Sequence, residues 1–171
     1  MVAVGEGDLD ALGEIVLRHQ EFVWGIAYRF LGDPAAAEDL VQETFLRVLR
    51  AASRYKPSAG FRTYLYQIVS RLCIDSARKK RPIFTDRPPE VVDDSPGPAA
   101  SLVSKERETE IRKALDDLPP GQRMAIILKY YEGLSYADIA QAMEITVKAV
   151  ERLLGRARKT LHTMLAQVKN D

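Results

Sequence analysis

Five basic side chains are spaced along residues Thr146 to Leu165 in a way that suits binding to a polyanion. They are Lys148, Arg152, Arg156, Arg158 and Lys159. Glu151 is the single acid among them, so the segment carries a net charge of +4. Apolar residues recur every three or four positions, which predicts an amphipathic helix. Such a helix fits a DNA major groove, with its first turns at base edges and its later cations on phosphates.

Aromatic and basic side chains are mixed in a second stretch, residues 61–81, which reads FRTYLYQIVSRLCIDSARKKR. Aromatic rings stack on unpaired bases while cations follow the phosphates, so this stretch predicts a surface for single-stranded or melting DNA. The aromatic residues are Phe61, Tyr64 and Tyr66, and the basic residues beyond them are Arg71, Arg78, Lys79, Lys80 and Arg81. A structural alternative stays open, because Phe61 and one tyrosine could be core residues and the terminal cations could complement the helix dipole.

Groupings of side chains that could perform catalysis or bind a metal are not evident. His19 and His162 are far apart, no cysteine or carboxylate cluster has metal-ligand spacing, and no glycine-rich loop suits phosphate binding. The single cysteine, Cys73, fits a reducing compartment, and its position near Val69 and Leu72 predicts a small core residue. We therefore predict that the protein is not an enzyme and uses no metal or other cofactor.

A helix-turn-helix is predicted to position the basic segment. Ser135 is suited to cap a short helix that begins at Tyr136, and Asp138 completes a capping box. The pattern breaks at Glu144, and Thr146 caps the longer basic helix, so the two helices must cross steeply. Glu144 occupies a turn position that favours glycine because φ is positive there, which costs roughly 1 kcal/mol for a residue with a side chain. The alternative is a charged helical hairpin that does not bind DNA.

Three further helices are predicted in the first half of the chain. The first spans about residues 8–31, as one helix or a helix pair. The second begins with Asp33 as its cap and Pro34 in its first turn and runs to about residue 53. The third covers residues 61–80. Three helices of this length can bury a core of their own. The second helix presents a polar face that consists of Asp39, Gln42, Glu43 and Arg47.

The composition of the chain changes between residues 82 and 104. This segment contains five of the nine prolines, four acids and one base, and it has little periodicity, so we predict a flexible linker. Helical periodicity resumes at about residue 102, stops at Pro119-Pro120-Gly121 and continues from Gln122 to Tyr131. The sequence therefore predicts an all-α protein with two small helical domains, residues 1–81 and 105–171, the second of which contains the helix-turn-helix.

The distribution of charge is more informative than the net charge of +1. Residues 1–60 hold nine acids and six bases, whereas residues 71–81 hold five bases and one acid. Two basic clusters far apart in the sequence predict two contacts with a polyanion. No apolar run approaches the length of a membrane span, and the N-terminus lacks the basic start and apolar centre of a secretory signal. A cytoplasmic location is expected.

Taken together, these segments resemble the sigma-70 superfamily, and specifically the short extracytoplasmic-function (ECF) sigma factors. The resemblance rests on DPAAAEDLVQETFLRVLRA at 33–51, on the 61–81 stretch, on LDDLPPGQRMAIILKYYEGLSYADIA at 115–140 and on VKAVERLLGRARKTL at 147–161. It covers nearly all of the chain apart from the linker and the extreme ends. It implies an RNA polymerase sigma factor that binds core polymerase, directs it to specific promoters and supports strand opening.

The resemblance also implies a role for each polar surface. Docking on core RNA polymerase is expected through Asp39, Gln42, Glu43 and Arg47. Single-stranded DNA of the downstream promoter element is expected to contact Phe61, Tyr64, Tyr66, Arg71, Arg78, Lys79 and Lys80. Duplex DNA of the upstream element is expected to contact Thr146, Lys148, Ala149, Glu151, Arg152, Arg156, Arg158 and Lys159. An inhibitory anti-sigma factor is a further expected partner, and the free domains could either pack together or be clamped by it.

Three departures from the family pattern limit these implications. Many relatives have Trp in place of Tyr64, Asn in place of Arg71, and a Lys-Ser-Arg run in place of residues 151–153. The promoter sequence that is read therefore does not transfer. A two-domain transcriptional regulator is the competing interpretation. It explains the helix-turn-helix equally well, but it leaves the aromatic and basic third helix without a role.

Overall fold

The computed structural model describes residues 1–55, 60–79 and 111–168. All regular secondary structure in these residues is helical, which confirms the predicted all-α class. The N-terminal module consists of α1 (Val2–Gly5), α2 (Leu9–Leu31), α3 (Pro34–Ala51), a 3₁₀ turn (Ala52–Arg54) and α4 (Phe61–Lys79). The C-terminal module consists of α5 (111–116), α6 (Pro120–Ile126), α7 (Tyr136–Ala142) and α8 (Val147–Val168). The predicted linker, Lys80, Arg81 and the predicted start of the next helix near residue 102 lie outside the described residues.

The ends of α2 and α3 are set by local side-chain chemistry. The Asp8 carboxylate accepts a hydrogen bond from the Ala11 amide at 2.9 Å, so α2 begins where the sequence predicted. It ends at Gly32, which adopts a left-handed φ of 73°. The Asp33 carboxylate then accepts from the Ala36 amide at 3.1 Å, and Pro34 occupies the first turn of α3. The predicted Asp33 cap is therefore confirmed.

The helix-turn-helix has the predicted boundaries. Ser135 and Asp138 form a reciprocal capping box at the start of α7, in which the Asp138 amide donates to Ser135 Oγ at 3.1 Å. The helix closes when the amide of Ile145 donates to the carbonyl of Ala140 at 2.9 Å. Glu144 has a φ of 54°, the left-handed conformation expected at this turn. Thr146 Oγ1 accepts from the amide of Ala149 at 3.2 Å, and α8 begins.

Three local features were not predicted from the sequence. The helix that starts with α6 begins at Pro120 rather than Gln122, and from Ile127 to Tyr131 it widens into a π-helical turn. At the N-terminus, the short helix α1 packs on the 3₁₀ turn at Ala52. A Cβ atom on Gly5 would lie 2.9 Å from the carbonyl oxygen of Ala52, so only glycine permits this approach.

Each module contributes a set of buried apolar side chains. In the N-terminal module the largest of them are Val23, Ile26, Phe30, Val48, Leu65 and Val69. In the C-terminal module they are Leu118, Met124, Ile127, Leu128, Ile139 and Leu154. Cys73 of α4 is fully buried in the core, and this burial raises the pKa of its thiol. The prediction that Cys73 is a core residue is therefore confirmed.

The two modules pack against each other rather than lying apart. The buried side chains form one continuous cluster, and α4 contacts both α6 and α7. Arg123 of α6 donates from Nη1 to the backbone carbonyl of Phe30 at 2.8 Å and to the carboxylate of Asp116 at 2.9 Å. Burial raises the pKa of Asp116, and the charge of Arg123 opposes that effect. The sequence left open whether the free domains pack together, and in this structure they do; this packed arrangement is called the closed state below.

The positive φ of Glu144 leads to a first prediction. Replacing Glu144 with glycine removes the cost of a side chain in a left-handed conformation, so we expect the free energy of unfolding to rise by about 0.5–1 kcal/mol. Glu144 also forms an exposed ion pair with Arg71 at 3.9 Å. The matched control is Glu144→Ala, which loses the ion pair but keeps the strain. Urea unfolding followed by circular dichroism measures both, and a glycine variant no more stable than the alanine variant contradicts the prediction.

Candidate nucleic-acid and polymerase interfaces

The outer face of α8 carries the predicted duplex-binding residues, and most of them are exposed. Thr146, Lys148, Glu151, Arg152, Arg156, Arg158 and Lys159 are all accessible to solvent, and Ala149 is half-buried. The opposite face of the helix, with Val150, Leu154 and Ala157, is buried. Arg158 donates from Nε to the carbonyl of Leu154 at 3.2 Å, which holds it against the helix. The apolar stripe therefore anchors α8 and directs its cations outwards.

Aromatic rings cluster around the start of α4. Phe61 and Tyr64 are half-buried, and the ring of Tyr55 lies 5.1 Å from Tyr64 and 6.2 Å from Phe61, measured between centroids. His19 of α2 approaches Phe61 edge-on at 5.4 Å. Burial, followed by the charges of Arg18 and Arg62, lowers the pKa of His19, which favours the neutral imidazole. The rings of the cluster are partly exposed, which suits stacking on bases. The sequence did not indicate the parts played by His19 and Tyr55.

The predicted single-strand residues of α4 do not all share one environment. Arg78 and Lys79 are exposed near the end of the helix. Tyr66, in contrast, is buried, and its hydroxyl donates to the carboxylate of Glu132 at 3.1 Å. Burial raises the pKa of Tyr66. Arg71 is exposed but faces Glu144 across the module boundary at 3.9 Å. In this conformation Tyr66 and Arg71 are therefore engaged by the C-terminal module.

The polar face of α3 has the predicted composition. Asp39 and Gln42 are exposed, and Glu43 accepts a hydrogen bond from Arg47 Nε at 2.8 Å. This hydrogen bond lowers the pKa of Glu43, so the carboxylate is held ionised. The four side chains form a continuous surface on the side of α3 opposite the buried residues Ala37, Phe45 and Val48.

A groove of about 440 Å³ runs beside this face, between α2 and α3. Its lining combines the apolar side chains of Trp24 and Val41 with the polar side chains of Gln20, Glu21, Glu38 and Gln42. Trp24 also stacks on Tyr28, with centroids 4.8 Å apart. An apolar strip next to charged side chains is typical of a protein interface. Sequence reasoning missed Trp24, although a large aromatic residue on a helix face that is not fully buried is a usable signal.

The described residues hold neither a metal-binding group nor a membrane-spanning helix. No group of three His, Cys, Asp or Glu side chains in residues 1–55, 60–79 and 111–168 could hold a metal ion. Within those same ranges, no helix combines the length and the apolar content that crossing a bilayer requires.

Comparison with known protein families matches both modules. Residues 15–83 match the model of Sigma-70 region 2, and residues 108–161 match that of Sigma-70, region 4. The chain is 32% identical to the ECF RNA polymerase sigma factor SigW of Bacillus subtilis, over 95% of this chain and 92% of SigW. The chain is 34% identical to the ECF RNA polymerase sigma factor SigE of Mycolicibacterium smegmatis. That match covers 90% of this chain but only 61% of SigE.

Solved structures of similar fold give the same result. CnrH, in complex with the cytosolic domain of CnrY, has a TM-score of 0.69 and 27% identity, and the match covers 96% of this chain and 93% of CnrH. The sigma factor RpoE of Bartonella quintana, in complex with the anti-sigma factor NepR, has a TM-score of 0.68 at 24% identity, over 90% of this chain and 96% of RpoE, and supports the fold. Both sigma regions are thus present in one chain and in order, and the protein belongs to the ECF sigma factors of the sigma-70 superfamily.

Proposed function

We propose that this sigma factor contacts three macromolecular surfaces with three separate parts of the chain. Core polymerase binds the polar face of α3, the upstream promoter element binds α8, and the downstream element binds α4 as a single strand. The observation that carries the proposal is the exposed basic face of α8, presented by a helix-turn-helix whose apolar side is buried. The chain performs no bond-making step itself, because polymerase carries out the chemistry.

The polymerase contact is assigned to Asp39, Gln42, Glu43 and Arg47 together with the adjoining groove. The Glu43–Arg47 hydrogen bond at 2.8 Å fixes both side chains in one geometry, which reduces the entropy that docking would cost. Trp24 adds an aromatic anchor of the kind that dominates protein interfaces. Charged side chains around it would then steer the association and set its orientation.

Each DNA contact is assigned to residue types that match the state of the DNA. On α8, Lys148 and Arg152 lie in the first two turns, where base edges are within reach, and Arg156, Arg158 and Lys159 follow along the phosphates. At the start of α4, the rings of Phe61 and Tyr64 suit stacking on unpaired bases. Arg78 and Lys79 extend that surface with positive charge.

We also infer an anti-sigma factor as a regulatory partner and the cytoplasm as the site of action. CnrH has been solved in complex with the cytosolic domain of CnrY, and its match covers 96% of this chain. RpoE of Bartonella quintana has been solved in complex with the anti-sigma factor NepR. A partner that covers the exposed faces of α3 and α8 would block polymerase and DNA together. Binding to core RNA polymerase requires that the chain reach the cytoplasm.

Run-off transcription with purified core polymerase tests the proposed function. With genomic fragments of the source organism as templates, we expect discrete transcripts that core enzyme alone does not produce. A transcriptional regulator without sigma activity leaves initiation dependent on another sigma factor. If core enzyme with this chain makes no specific transcript, the proposed function is wrong.

The polymerase contact can be tested with Asp39→Ala combined with Glu43→Ala. This variant removes both acids of the α3 face, and we expect the Kd for core polymerase to rise about tenfold, equivalent to roughly 1.4 kcal/mol. Fluorescence anisotropy of labelled protein titrated with core enzyme measures it. The matched control, Asp10→Ala with Glu14→Ala, changes the net charge equally on exposed positions of α2. Equal affinities for both double variants would assign the α3 face another role.

The duplex contact can be tested with Arg156→Ala. Arg156 is exposed and lies beyond the first turns of α8, so we expect it to bind a phosphate. Its removal should weaken binding to all duplex sequences alike. The negative slope of log K against log salt should become shallower by about 1. The matched control is Arg54→Ala, an exposed arginine on the N-terminal module. An unchanged salt slope for Arg156→Ala removes this residue from the phosphate contacts.

A further inference from the structure

One acidic side chain of the C-terminal module lies at the centre of the boundary between the modules. The side chain of Glu132 is only 10% exposed. It accepts a hydrogen bond from the Tyr66 hydroxyl at 3.1 Å, and it lies 3.6 Å from Arg29 and 3.8 Å from Arg62. These four residues are called the Glu132 cluster below. All three partners of Glu132 in it belong to the N-terminal module, and two of them are on α4.

Aromatic rings hold the two arginines of the cluster in place. The guanidinium of Arg62 lies over the ring of Phe22 at 4.4 Å from the centroid and over Tyr66 at 5.8 Å. The guanidinium of Arg29 lies over the ring of Tyr131 at 5.1 Å. Cation–π contacts of this kind orient a guanidinium and reduce its contact with water. Phe22 and Tyr66 therefore orient Arg62 towards Glu132 from within the N-terminal module, whereas the contact of Arg29 with Tyr131 is made across the boundary.

Two further contacts extend the boundary along α4. Gln67 Nε2 donates to the backbone carbonyl of Gln141 in α7 at 3.1 Å, and Arg71 lies 3.9 Å from Glu144 in the turn of the helix-turn-helix. Arg62, Tyr66 or Gln67, and Arg71 are separated by four or five positions, so they lie along one face of α4. The C-terminal module therefore covers this face with two carboxylates and a carbonyl oxygen.

We propose that this closed arrangement is a self-inhibited state of the sigma factor, held by the Glu132 cluster. The inference rests on the proposed function of α4 in binding a single strand. Glu132 and Glu144 engage the arginine and tyrosine side chains of α4 as the phosphates of a DNA strand would. The basic face of α8 stays exposed meanwhile, so the closed state retains its duplex-binding surface and loses part of its single-strand surface.

Most of the ion pairs between the two modules are weak enough for the modules to separate. The side chain of Arg62 is 62% exposed, and those of Arg71 and Glu144 are 68% and 62% exposed. Ion pairs this accessible are weak and are screened by salt. Among the described carboxylates that take part in contacts across the boundary, Glu132 is the best shielded, so its loss removes the acceptor that Arg29, Arg62 and Tyr66 share. When the modules separate, the arginines of α4 can exchange their carboxylate partners for the phosphates of a DNA strand. Phosphates are equally good acceptors for guanidinium groups.

The distance between the modules tests the closed state without any DNA. Cysteines introduced at the exposed positions Ser53 and Thr163 carry a fluorescent donor and acceptor, while the native Cys73 is buried and does not react. We expect energy transfer to fall for Glu132→Gln, and to fall further for Glu132→Arg, which sets a third guanidinium against Arg29 and Arg62. The matched control is Glu14→Gln, an exposed acid of α2, which should leave energy transfer unchanged.

Helical content from circular dichroism separates opening from unfolding in these variants. An open but folded chain keeps its helical signal while energy transfer falls. Wild-type energy transfer in both Glu132 variants overturns the proposal that this cluster holds the modules together. Because the other ion pairs are exposed, energy transfer in the wild type should also fall as salt increases.

A cross-link across the boundary tests the inhibition itself. Gln67→Cys and Gln141→Cys place two thiols at residues that are in contact in the closed state, and a short bismaleimide then locks that state. The probe is a labelled oligonucleotide with the downstream strand of a promoter obtained by run-off transcription. We expect the locked chain to bind this strand at least tenfold more weakly than the same chain before cross-linking, while both bind the upstream duplex equally.

The outcomes separate this inference from the function on which it rests. If the locked and unlocked chains bind the single strand equally, the closed state does not inhibit and the inference alone is wrong. If neither the unlocked chain nor Glu132→Gln binds the strand, with or without core polymerase, the assignment of α4 to single-stranded DNA is wrong, and the inhibition falls with it. The energy-transfer result still decides whether Glu132 holds the modules together.

Discussion

A carboxylate that is nearly buried has to keep its partners, and this constraint governs how the two modules meet. Taking a charge out of water costs several kcal/mol unless hydrogen bonds and opposite charges compensate it. Glu132 is compensated by Arg29, Arg62 and Tyr66, all of which lie on α2 and α4. These contacts favour the position that the C-terminal module takes on the N-terminal module. The hydrogen bond from Arg123 of the C-terminal module to the carbonyl of Phe30 is consistent with that position.

The backbone just before Glu132 explains why its side chain reaches the boundary. Residues Ile127–Tyr131 form a π-helical turn, and the amide of Glu132 donates to the carbonyl of Ile127 at 3.2 Å. One extra residue in a turn rotates the following side chains by about 100° relative to an α-helix. Gly133, with a φ of 68°, then turns the chain into the capping box of α7. A few consecutive residues thus determine both the position of Glu132 and the direction of the helix-turn-helix.

Local features of the fold could be predicted from the sequence because their causes are local. Asp33 and Ser135 cap the helices that follow them through hydrogen bonds to amides three residues away. Glu144 adopts the positive φ that its place in the turn predicted. The Glu132 cluster has no such signal, because Tyr66 and Glu132 are 66 positions apart and no periodicity links them. The π-helical turn was also missed, since its residues have ordinary helical spacing.

The environment of Tyr66 shows why residue type alone does not assign a binding surface. Tyrosine hydroxyl groups and guanidinium groups bind the carboxylates of a protein as readily as the phosphates of DNA. On α8, no ion pair joins the exposed cations to another described residue, so that face is available to DNA as it stands. On α4, the side chains of Arg62, Tyr66 and Arg71 already have acidic partners. The net affinity of α4 for a strand is therefore its intrinsic affinity reduced by the free energy of opening, whereas the affinity of α8 carries no such reduction.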